Sequence, residues 1–411
     1  MNIRIAPSSV ISQTTVTIGG SKSETNRLLL LQALYPQLGL ENTSDSDDSR
    51  VMQQAISGND AVVDIHHAGT AMRFLTAYFA IVPNREVVLT GSPRMKQRPI
   101  GILVDALREL GADIQYLETD GFPPLRINGK KLRGGTVTLP ANVSSQYITA
   151  LLLMAGQFES GLQLTLKGSV TSAPYIEMTL ALLDQIGIRS TFANSIITVK
   201  PVAGAPLPQT LTVESDWSSA SYFYSVVALS PVGTQISLAH FRQNSLQGDR
   251  ALAQIYALFG VSTHFSGKEI RLAKTSTVVP AKPIELDLNR TPDLAQTIAV
   301  TCLGLGLACR LTGLHTLKIK ETDRLAALQN ELQKLGASVS IGADDLALIP
   351  GPSLVENCFI KTYDDHRMAM AFAPLGVRIG VAIEQAEVVS KSYPQFWNDW
   401  ARIGFELQQF D

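Results

Sequence analysis

The feature that most constrains the fold is a unit that repeats along the 411-residue chain. In each copy an apolar helical pattern ends at a glycine, and a stretch of alternating apolar residues follows. The four clearest copies are LVDALRELGADIQY, LALLDQIGIRSTF, LAQIYALFGVSTHF and LAALQNELQKLGASVSI. Their glycines, Gly111, Gly187, Gly260 and Gly336, stand 76, 73 and 76 residues apart. Because glycine readily adopts the left-handed conformation that ends helices, the pattern predicts repeated α/β units rather than one doubly wound sheet.

Weaker copies of the unit lie at residues 51–58, 150–156 and 394–404. About six units in two sets of three fit this count. Chance spacing of a common Leu-x-x-Leu-Gly pattern is the alternative, and the alternating residues after each glycine favour the repeat. The least helical stretch is 201–208, and a predicted strand follows at 211–213, so we expect the chain to cross between domains near Glu214.

Composition excludes several classes of function. The chain carries 34 basic and 36 acidic side chains, a formal charge of −2, which does not favour nucleic acid or an anionic membrane as a partner. Cys302, Cys309 and Cys358 are too few for a disulfide framework and favour a reducing compartment. The N-terminus lacks a signal-peptide pattern, and the broken apolar stretch at 297–311 predicts a buried helix rather than a membrane span. We therefore expect a cytoplasmic protein.

Five predicted helix starts stand out, and four of them, all but SSQYITALL, carry cations. The segments are GSKSETNR with Ser21 or Ser23 as cap, AGTAMR with Thr70 as cap, SSQYITALL beginning at Ser144 and Ser145, KETDRLAAL with Thr322 as cap, and DDHRMAMAF with His366 and Arg367 in its first turn. Acidic residues usually occupy this position, because the N-terminus is the positive end of the helix dipole. Each cation taken singly is explained as a solvated side chain, but together they indicate bound anions.

A basic loop at residues 93–101 adds Arg94, Lys96 and Arg98 and predicts phosphate or carboxylate binding. The chain has no glycine-rich nucleotide-binding motif, so we expect no nucleotide cofactor. No His, Cys and Asp cluster has the spacing of metal ligands, so we expect no metal.

A series of motifs identifies a family. In order along the chain they are GSKSETNR, SDDSRVM, AGTAMR, GSPRMKQRPIG, SSQYITALL, SAPYIEMTL, DWSSASYF, NRTPDLAQTIA, KIKETDRL, YDDHRMAM and VSKSYPQFW. In these motifs the chain resembles the EPSP synthases, which are enolpyruvyl transferases, from Lys22 to Trp397. The resemblance implies an α/β fold of two similar domains, each of three βαβαββ units, called an inside-out α/β barrel. It also implies a discontinuous domain of residues 1–20 and 215–411 and a continuous domain of residues 21–214.

The resemblance also implies a reaction. The enolpyruvyl group of phosphoenolpyruvate is transferred to the 5-hydroxyl of shikimate 3-phosphate, phosphate is released, and no cofactor takes part. The two substrates together carry a charge of about −4 to −5, so the site must gather cations. A base is needed at the hydroxyl and an acid at the methylene carbon. By resemblance Asp293 is the base, and Glu321 with Lys22 transfers the proton at the methylene. From the residues alone, a helix-capping role stays open for both Asp293 and Glu321.

The resemblance assigns binding residues to each substrate. Those matching shikimate 3-phosphate contacts are Lys22, Ser23, Arg27, Ser144, Ser145, Gln146, Ser172, Tyr175, Asp293, Thr316 and Lys320. Those matching phosphoenolpyruvate contacts are Lys22, Gly69, Arg98, Gln146, Arg324, Arg367 and Lys391. In this family the inhibitor glyphosate occupies the phosphoenolpyruvate site, and we expect Gly69 to leave space for it.

The chain departs from the family pattern at a few positions. His66 and His67 replace Gly-Asn, Phe74 replaces Pro, Ala173 replaces Lys or Arg, and Thr316 replaces Asn. None of these removes a charged catalytic group. The departures affect the expected details of substrate contact, not the reaction class.

Two other functions remain as alternatives. The related transferase that acts on UDP-N-acetylglucosamine typically carries a Cys in the loop matching residues 93–101, and this chain has none there. A non-catalytic anion-binding protein would have no need of Asp293, Glu321, Lys22 and Lys391 together. We expect a monomer whose partners are the two small-molecule substrates, with no nucleic acid or membrane partner.

Overall fold

The computed structural model describes residues 1–142, 144–202, 204, 206–277 and 282–411. Contacts divide the chain into two compact units. The discontinuous unit comprises Met1–Gly20 and Glu214–Asp411, and the continuous unit comprises Ser21–Val213. Two residues of the stretch predicted to be least helical, 203 and 205, lie outside the described residues.

Helices and strands alternate in both units. The helices are α1 (Lys22–Leu34), α2 (Asp47–Ser57), α3 (Gly69–Ile81), α4 (Gly101–Glu109), α5 (Ser145–Met154), α6 (Ala173–Gln185), α7 (Trp217–Leu229), α8 (Leu252–Ile255), α9 (Ala295–Leu305), α10 (Arg324–Lys334), α11 (His366–Phe372) and α12 (Phe396–Arg402). Short 3-10 turns cover Met95–Gln97, Ala155–Gln157, Gly248–Ala251, Tyr256–Phe259, Pro292–Leu294, His315–Ile319, Ala373–Val377 and Ala386–Lys391.

The strands are short. They are β1 (Asn2–Ile5), β2 (Thr14–Val16), β3 (Leu38–Glu41), β4 (Val62–Asp64), β5 (Glu86–Thr90), β6 (Asp113–Tyr116), β7 (Leu125–Asn128), β8 (Gly135–Pro140), β9 (Leu162–Lys167), β10 (Ser190–Ala193), β11 (Ile196–Val199), β12 (Gln209–Thr212), β13 (Gln235–Ala239), β14 (Val261–Ser266), β15 (Glu269–Lys274), β16 (Ile284–Asp287), β17 (Cys309–Thr312), β18 (Ser338–Ile341), β19 (Leu346–Ile349), β20 (Cys358–Ile360), β21 (Val381–Ile383) and β22 (Leu407–Phe410).

The βαβαββ unit is visible in the sheet order. In the continuous unit, β4 to β7 with α3 and α4 form one sheet in the order β4-β5-β7-β6, and β8 to β11 with α5 and α6 form another in the order β10-β11-β9-β8. The first strand pair of each sheet in sequence is parallel and the other pairs are antiparallel. The third sheet of this unit, beside α1 and α2, has two described strands, β3 and β12, which pair in parallel.

The discontinuous unit contains three four-stranded sheets of the same pattern. Strands β16 to β19 form the order β16-β17-β19-β18 within one continuous segment. The N-terminal strands complete the other two sheets: β2 pairs in parallel with β13, and β1 lies between β21 and β22. The predicted fold class of two similar α/β halves is therefore confirmed, with one of the six sheets reduced to two described strands.

The glycines of the repeat end their helices as predicted. Gly111, Gly187, Gly260 and Gly336 have φ angles of +104°, +84°, +73° and +95°. A residue with a Cβ is strained in this conformation, so the recurrence of glycine follows from the backbone geometry.

The predicted helix caps are partly wrong. Ser21 and Ser144 do cap α1 and α5. Thr70 is not a cap, because α3 begins at Gly69 after Ala68, and the Thr70 hydroxyl instead accepts a hydrogen bond from Gln146 at 3.1 Å. Thr322 is not a cap either. Asp323 caps α10, because its carboxylate accepts bonds from two backbone N–H groups at 3.1 Å.

Buried helices form the core of each unit. α5 packs against α3 and α6, and α9 packs against α7 and α11. Nearly all residues of α5, α7 and α9 are buried, so these helices carry apolar and small polar side chains and no charged ones. The predicted buried helix at 297–311 is shorter than expected, because α9 ends at Leu305 and a strand begins at Cys309. Within the described ranges no helix has the length and apolarity needed to cross a membrane.

Candidate active site

Arg27 of the continuous unit is buried and hydrogen-bonded to neutral groups, and the buried Glu24 three residues earlier also acts on its charge. Its side chain is 3% exposed and donates to the hydroxyls of Thr179 at 2.9 Å and Thr149 at 3.3 Å. It also donates to the backbone carbonyls of Ser23 at 2.7 Å and Tyr175 at 3.3 Å. Burial lowers the pKa of Arg27 to about 10, which leaves it protonated at neutral pH. These bonds connect α1, α5 and α6.

Two aromatic rings complete the surroundings of Arg27. The centre of its guanidinium lies 5.5 Å from the centroid of Phe74 and 5.7 Å from that of Tyr175. Phe74 is fully buried in α3. The Phe that replaces the family's Pro therefore packs against a predicted binding residue.

Gly69 and Arg98 are in close contact at the start of α3. A methyl group added at Gly69 would lie 2.4 Å from Nη1 and 2.9 Å from Cζ of Arg98. The space that we expected Gly69 to leave open is thus occupied by the Arg98 guanidinium. Arg98 is 7% exposed, and its Nε has no hydrogen-bond partner among the described residues. A buried guanidinium with an unmatched donor at a helix N-terminus is suited to binding an anion.

Arg73, the cation of the AGTAMR motif, has a structural role. It donates to the carbonyls of Gly69 at 3.3 Å and Pro99 at 2.8 Å. Arg73 thereby ties α3 to the basic loop. That loop contains one 3-10 turn at Met95–Gln97, and Lys96 in it pairs with Glu118 at 2.6 Å.

The remaining predicted residues of this unit lie at the starts of α1, α5 and α6. Lys22 pairs with Asp48 at 3.1 Å. Ser144 caps α5, and Ser145 is buried next to it. Ser172 precedes α6 with φ +54° and ψ +39°, a left-handed conformation that is uncommon for a residue other than glycine and occurs often at binding sites.

In the discontinuous unit, predicted residues gather around one carboxylate. Asp293 lies in the 3-10 turn before α9, and its side chain is 12% exposed. Its oxygens lie 2.8 Å from Arg324 Nη1, 3.4 Å from Lys320 Nζ and 3.3 Å from Arg367 Nη2. Burial alone would raise the pKa of Asp293, but Arg367, Lys320 and Arg324 together hold that pKa well below its usual range. Asp293 is therefore a carboxylate at neutral pH.

The two arginines of this cluster are held differently. Arg324 is 2% exposed and donates to Asp365 at 2.6 Å and to Glu321 at 2.9 Å, in addition to Asp293. Burial lowers the pKa of Arg324, but Asp365, Glu321 and Asp293 outweigh that effect and keep it above its ordinary value. Arg367 makes longer contacts, 3.3 Å to Asp293 and 3.4 Å to the Ser218 hydroxyl. The shortest bonds of Arg324 to Asp365 and Glu321 are thus shorter than those of Arg367 to Asp293 and Ser218.

The other details of this unit concern Lys320 of the cluster, Thr316 near it in sequence, and Lys391. Burial lowers the pKa of Lys320, and the Asp293 carboxylate opposes that change. Thr316 is buried, and its hydroxyl has no hydrogen-bond partner in the described part of the chain. Lys391 donates to the backbone carbonyl of Asp364 at 2.6 Å. No group of three or more His, Cys, Asp or Glu side chains among the described residues is arranged to hold a metal ion.

Comparison with known proteins decides the family. A family model described as EPSP synthase (3-phosphoshikimate 1-carboxyvinyltransferase) matches residues 35–400. The chain is 46% identical over 408 residues to a 3-phosphoshikimate 1-carboxyvinyltransferase of Bacteroides fragilis, with 98% of each chain covered. It is 38% identical to one from Shewanella piezotolerans, covering 94% of this chain and 96% of the relative. The chain belongs to the EPSP synthase family.

Solved structures agree with the fold of an EPSP synthase. An EPSP synthase from Acinetobacter baumannii matches with a TM-score of 0.78 and 21% identity, covering 99% of this chain and 100% of that one. The enolpyruvyl transferase NikO from Streptomyces tendae matches with a TM-score of 0.74 and 13% identity, over 99% and 98% of the two chains. At this level of identity the likeness concerns the fold alone.

The sequence analysis did not identify several residues that bind the cationic side chains of this EPSP synthase family member. Asp365 binds Arg324, Asp48 binds Lys22, and Thr149 and Thr179 bind Arg27. Asp48 and Asp365 stand in motifs that were recognised, SDDSRVM and YDDHRMAM, so an acidic residue beside a predicted cation was the available signal. Thr149 and Thr179 lie within apolar helices and carried no such signal.

Proposed function

We propose that the chain transfers the enolpyruvyl group of phosphoenolpyruvate to the 5-hydroxyl of shikimate 3-phosphate. The observation that carries this proposal is the cluster of Asp293 with Lys320, Arg324 and Arg367 in a member of the EPSP synthase family. The cluster supplies a carboxylate that can accept a proton and cations that can bind anionic substrates. The 5-hydroxyl oxygen bonds to C2 of phosphoenolpyruvate, C3 gains a proton, and loss of phosphate from C2 and of a proton from C3 restores the vinyl group.

Asp293 accepts the proton of the 5-hydroxyl in this proposal. It is ionised at neutral pH but is a weak base while three cations surround it. Substrate anions that draw Arg367 and Lys320 towards themselves raise the basicity of Asp293. The base then becomes effective only when both substrates are bound, which limits side reactions.

Glu321 and Lys22 transfer the proton at C3. Glu321 is bound to Arg324 at 2.9 Å and its side chain is 19% exposed, so it is held in place and accessible. Lys22 is paired with Asp48 at 3.1 Å, and exchange of that partner for a substrate anion would bring its ammonium to the reacting group.

The remaining predicted residues bind the two substrates. For shikimate 3-phosphate we propose Lys22, Ser23, Arg27, Ser144, Ser145, Gln146, Ser172, Tyr175, Asp293, Thr316 and Lys320. For phosphoenolpyruvate we propose Lys22, Gly69, Arg98, Gln146, Arg324, Arg367 and Lys391. The unmatched donors of Arg98 and Thr316 support these assignments, because buried polar groups normally have a partner and a ligand can supply it.

The two compact units are the domains of this enzyme in our proposal, with the crossings at Gly20–Ser21 and Val213–Glu214. We further propose a cytoplasmic monomer. The acceptor UDP-N-acetylglucosamine is not favoured, because the family model and the curated relatives carry the name of the shikimate enzyme.

The test is phosphate release from phosphoenolpyruvate with each acceptor in turn. We expect release with shikimate 3-phosphate and none with UDP-N-acetylglucosamine, and mass spectrometry should detect 5-enolpyruvylshikimate 3-phosphate. The Asp293→Asn variant serves as the inactive control. Release with UDP-N-acetylglucosamine, or with neither acceptor, would refute the proposal.

A further inference from the structure

Asp249 is a buried carboxylate that neither the sequence motifs nor the proposed reaction uses. It lies in the 3-10 turn Gly248–Ala251 of the discontinuous unit and is 5% exposed. Its carboxylate accepts a short hydrogen bond from the hydroxyl of Ser218. Ser218 lies in the first turn of α7, which Asp216 caps.

Ser218 connects Asp249 to Arg367. The Arg367 Nη2 donates to the Ser218 Oγ at 3.4 Å while the Ser218 hydroxyl donates to Asp249. A hydroxyl whose hydrogen points to a carboxylate turns its lone pairs towards the opposite side, so the two bonds reinforce each other. The bonds of Arg367 to Asp293 and Ser218 are 3.3–3.4 Å long, whereas Arg324 has bonds as short as 2.6 Å. Hydrogen bonds of this length are weak, so a group that fixes the Ser218 hydroxyl adds to the orientation of Arg367.

We propose that Asp249 is a positioning residue that orients Arg367, through Ser218, for binding the anionic enolpyruvyl donor. This inference rests on the proposed function, in which Arg367 binds phosphoenolpyruvate. Asp249 does not touch the substrate in this view. Arg367 Nη2 donates to both Asp293 and Ser218, so Asp293 and the Asp249–Ser218 pair together keep the guanidinium in place for the donor.

The protonation of Asp249 gives the arrangement a pH dependence. Burial raises the pKa of Asp249 to about 6, against the lowering effects of Arg367 and Ser218, while Asp293 and Asp216 raise it further. Above pH 6 the carboxylate accepts the Ser218 hydrogen and leaves a lone pair for Arg367. Below pH 6 the protonated carboxyl competes as a donor to Ser218, and the hold on Arg367 weakens. The KM for phosphoenolpyruvate should therefore rise as the pH falls through about 6.

The experiment compares wild type, Asp249→Asn, Ser218→Ala and the double variant between pH 5.5 and 8.5. At pH 7.5 we expect each single variant to raise the KM for phosphoenolpyruvate about tenfold, the effect of one hydrogen bond to a charged group. The KM for shikimate 3-phosphate should change less than twofold, on the order of the effect of a remote substitution. The double variant should be no worse than the worse single variant, because both remove the same chain of bonds.

The pH profile separates this role from a structural one. Phosphoenolpyruvate itself titrates near pH 6, with a phosphate pKa of about 6, so the informative quantity is the KM ratio of variant to wild type. That ratio should fall towards one below pH 6, where wild-type Asp249 is also protonated. Asp216→Asn is the matched control at pH 7.5, because Asn retains the helix cap and leaves Asp249 and Ser218 in place, so the KM should stay within about twofold of wild type. Loss of the Asp216 charge should also shift the pH dependence to lower pH, since Asp216 raises the pKa of Asp249.

Three results would overturn the inference: additive effects in the double variant, a KM ratio independent of pH, or equal changes in the KM of both substrates. If Asp249→Asn does not fold, Ser218→Ala removes the same link and its KM ratio decides the question. The proposed function would be refuted instead if the wild-type protein released phosphate with neither acceptor. An active wild type whose variants are unaffected would refute only the role of Asp249.

Discussion

The two units hold their buried arginines in different ways. In the continuous unit, Arg27 is surrounded by hydroxyls, carbonyls and two aromatic rings, and Arg98 has an unmatched donor. In the discontinuous unit, Arg324 forms ion pairs with Asp293, Glu321 and Asp365, and Arg367 forms an ion pair with Asp293. Lys22 is an exception in the continuous unit, since it pairs with Asp48.

This difference shows two ways to offset the cost of burying a cation. Neutral oxygens accept the hydrogen bonds of Arg27, and the nearby Glu24 offsets part of its charge, so an incoming anion meets the remainder of that charge. Carboxylates cancel the charge around Arg324 and Arg367, so an anion must replace an existing partner. We therefore expect the buried arginines of the continuous unit to bind a substrate anion without first losing an ion-pair partner. In the discontinuous unit, we expect substrate binding to change the ion pairs of the arginines.

The largest expected effect is that of Asp293→Asn. Turnover should fall by a factor of roughly 10² or more, because the amide cannot accept the proton and no longer balances three cations. Phosphate release under saturating substrates measures the effect. Asp344→Asn, which changes an exposed carboxylate of the same unit, is the control. Wild-type turnover in Asp293→Asn would remove this residue from the mechanism.

The next largest effect is expected on the free energy of unfolding, which should fall more when a partner of Arg324 is removed than when a partner of Arg27 is removed. Asp365→Asn should lower the free energy of unfolding by about 2 kcal/mol, because fully buried Arg324 loses charge-assisted hydrogen bonds at 2.6 and 3.3 Å. Thr149→Val removes one neutral acceptor from Arg27 and should cost about 1 kcal/mol. Urea unfolding of both variants at pH 7.5 is the measurement. A larger cost for Thr149→Val would contradict the contrast between the two units.

Gly69→Ala should have a smaller effect. The added methyl would lie 2.4 Å from Arg98 Nη1, so the guanidinium must move. We expect the KM for phosphoenolpyruvate and the inhibition constant for glyphosate to rise about tenfold, in line with the cost of overpacking. The KM for shikimate 3-phosphate is the internal control and should stay within about twofold. Unchanged values for donor and inhibitor would show that Arg98 does not form their site.

The smallest effect is expected at Phe74. Phe74→Leu keeps the site apolar but removes the aromatic face next to Arg27, which should raise the KM for shikimate 3-phosphate about threefold. Incorporation of fluorinated phenylalanine at position 74 is the matched control, since it keeps the ring shape and weakens its negative face. If Leu raises the KM and fluorination does not, the ring acts by packing rather than by its interaction with the charge.

The fold was predictable from the sequence to a large extent. The glycines at 111, 187, 260 and 336 end helices by a local rule, so their spacing revealed the repeated unit. Helix caps were less predictable, because Thr70 and Thr322 fit the same local rule as the caps that form. The Thr70 hydroxyl accepts a hydrogen bond from Gln146, which is 76 residues away along the chain. A rule based on a few neighbouring residues cannot predict a partner at that distance.

The sequence by itself determined the repeated α/β units, the cationic helix starts and the family, since these depend on short segments and their order. Only the tertiary structure decided what each cation contacts. Arg27 and Arg324 both belong to helix-start motifs, yet the first is hydrogen-bonded to neutral groups and the second to carboxylates. The reason is physical: the electrostatic state of a buried side chain depends on groups within a few ångströms in space, and several of those groups are distant along the chain. Thr149 and Thr179 are 122 and 152 residues from Arg27, and Asp293 and Asp365 are 31 and 41 residues from Arg324.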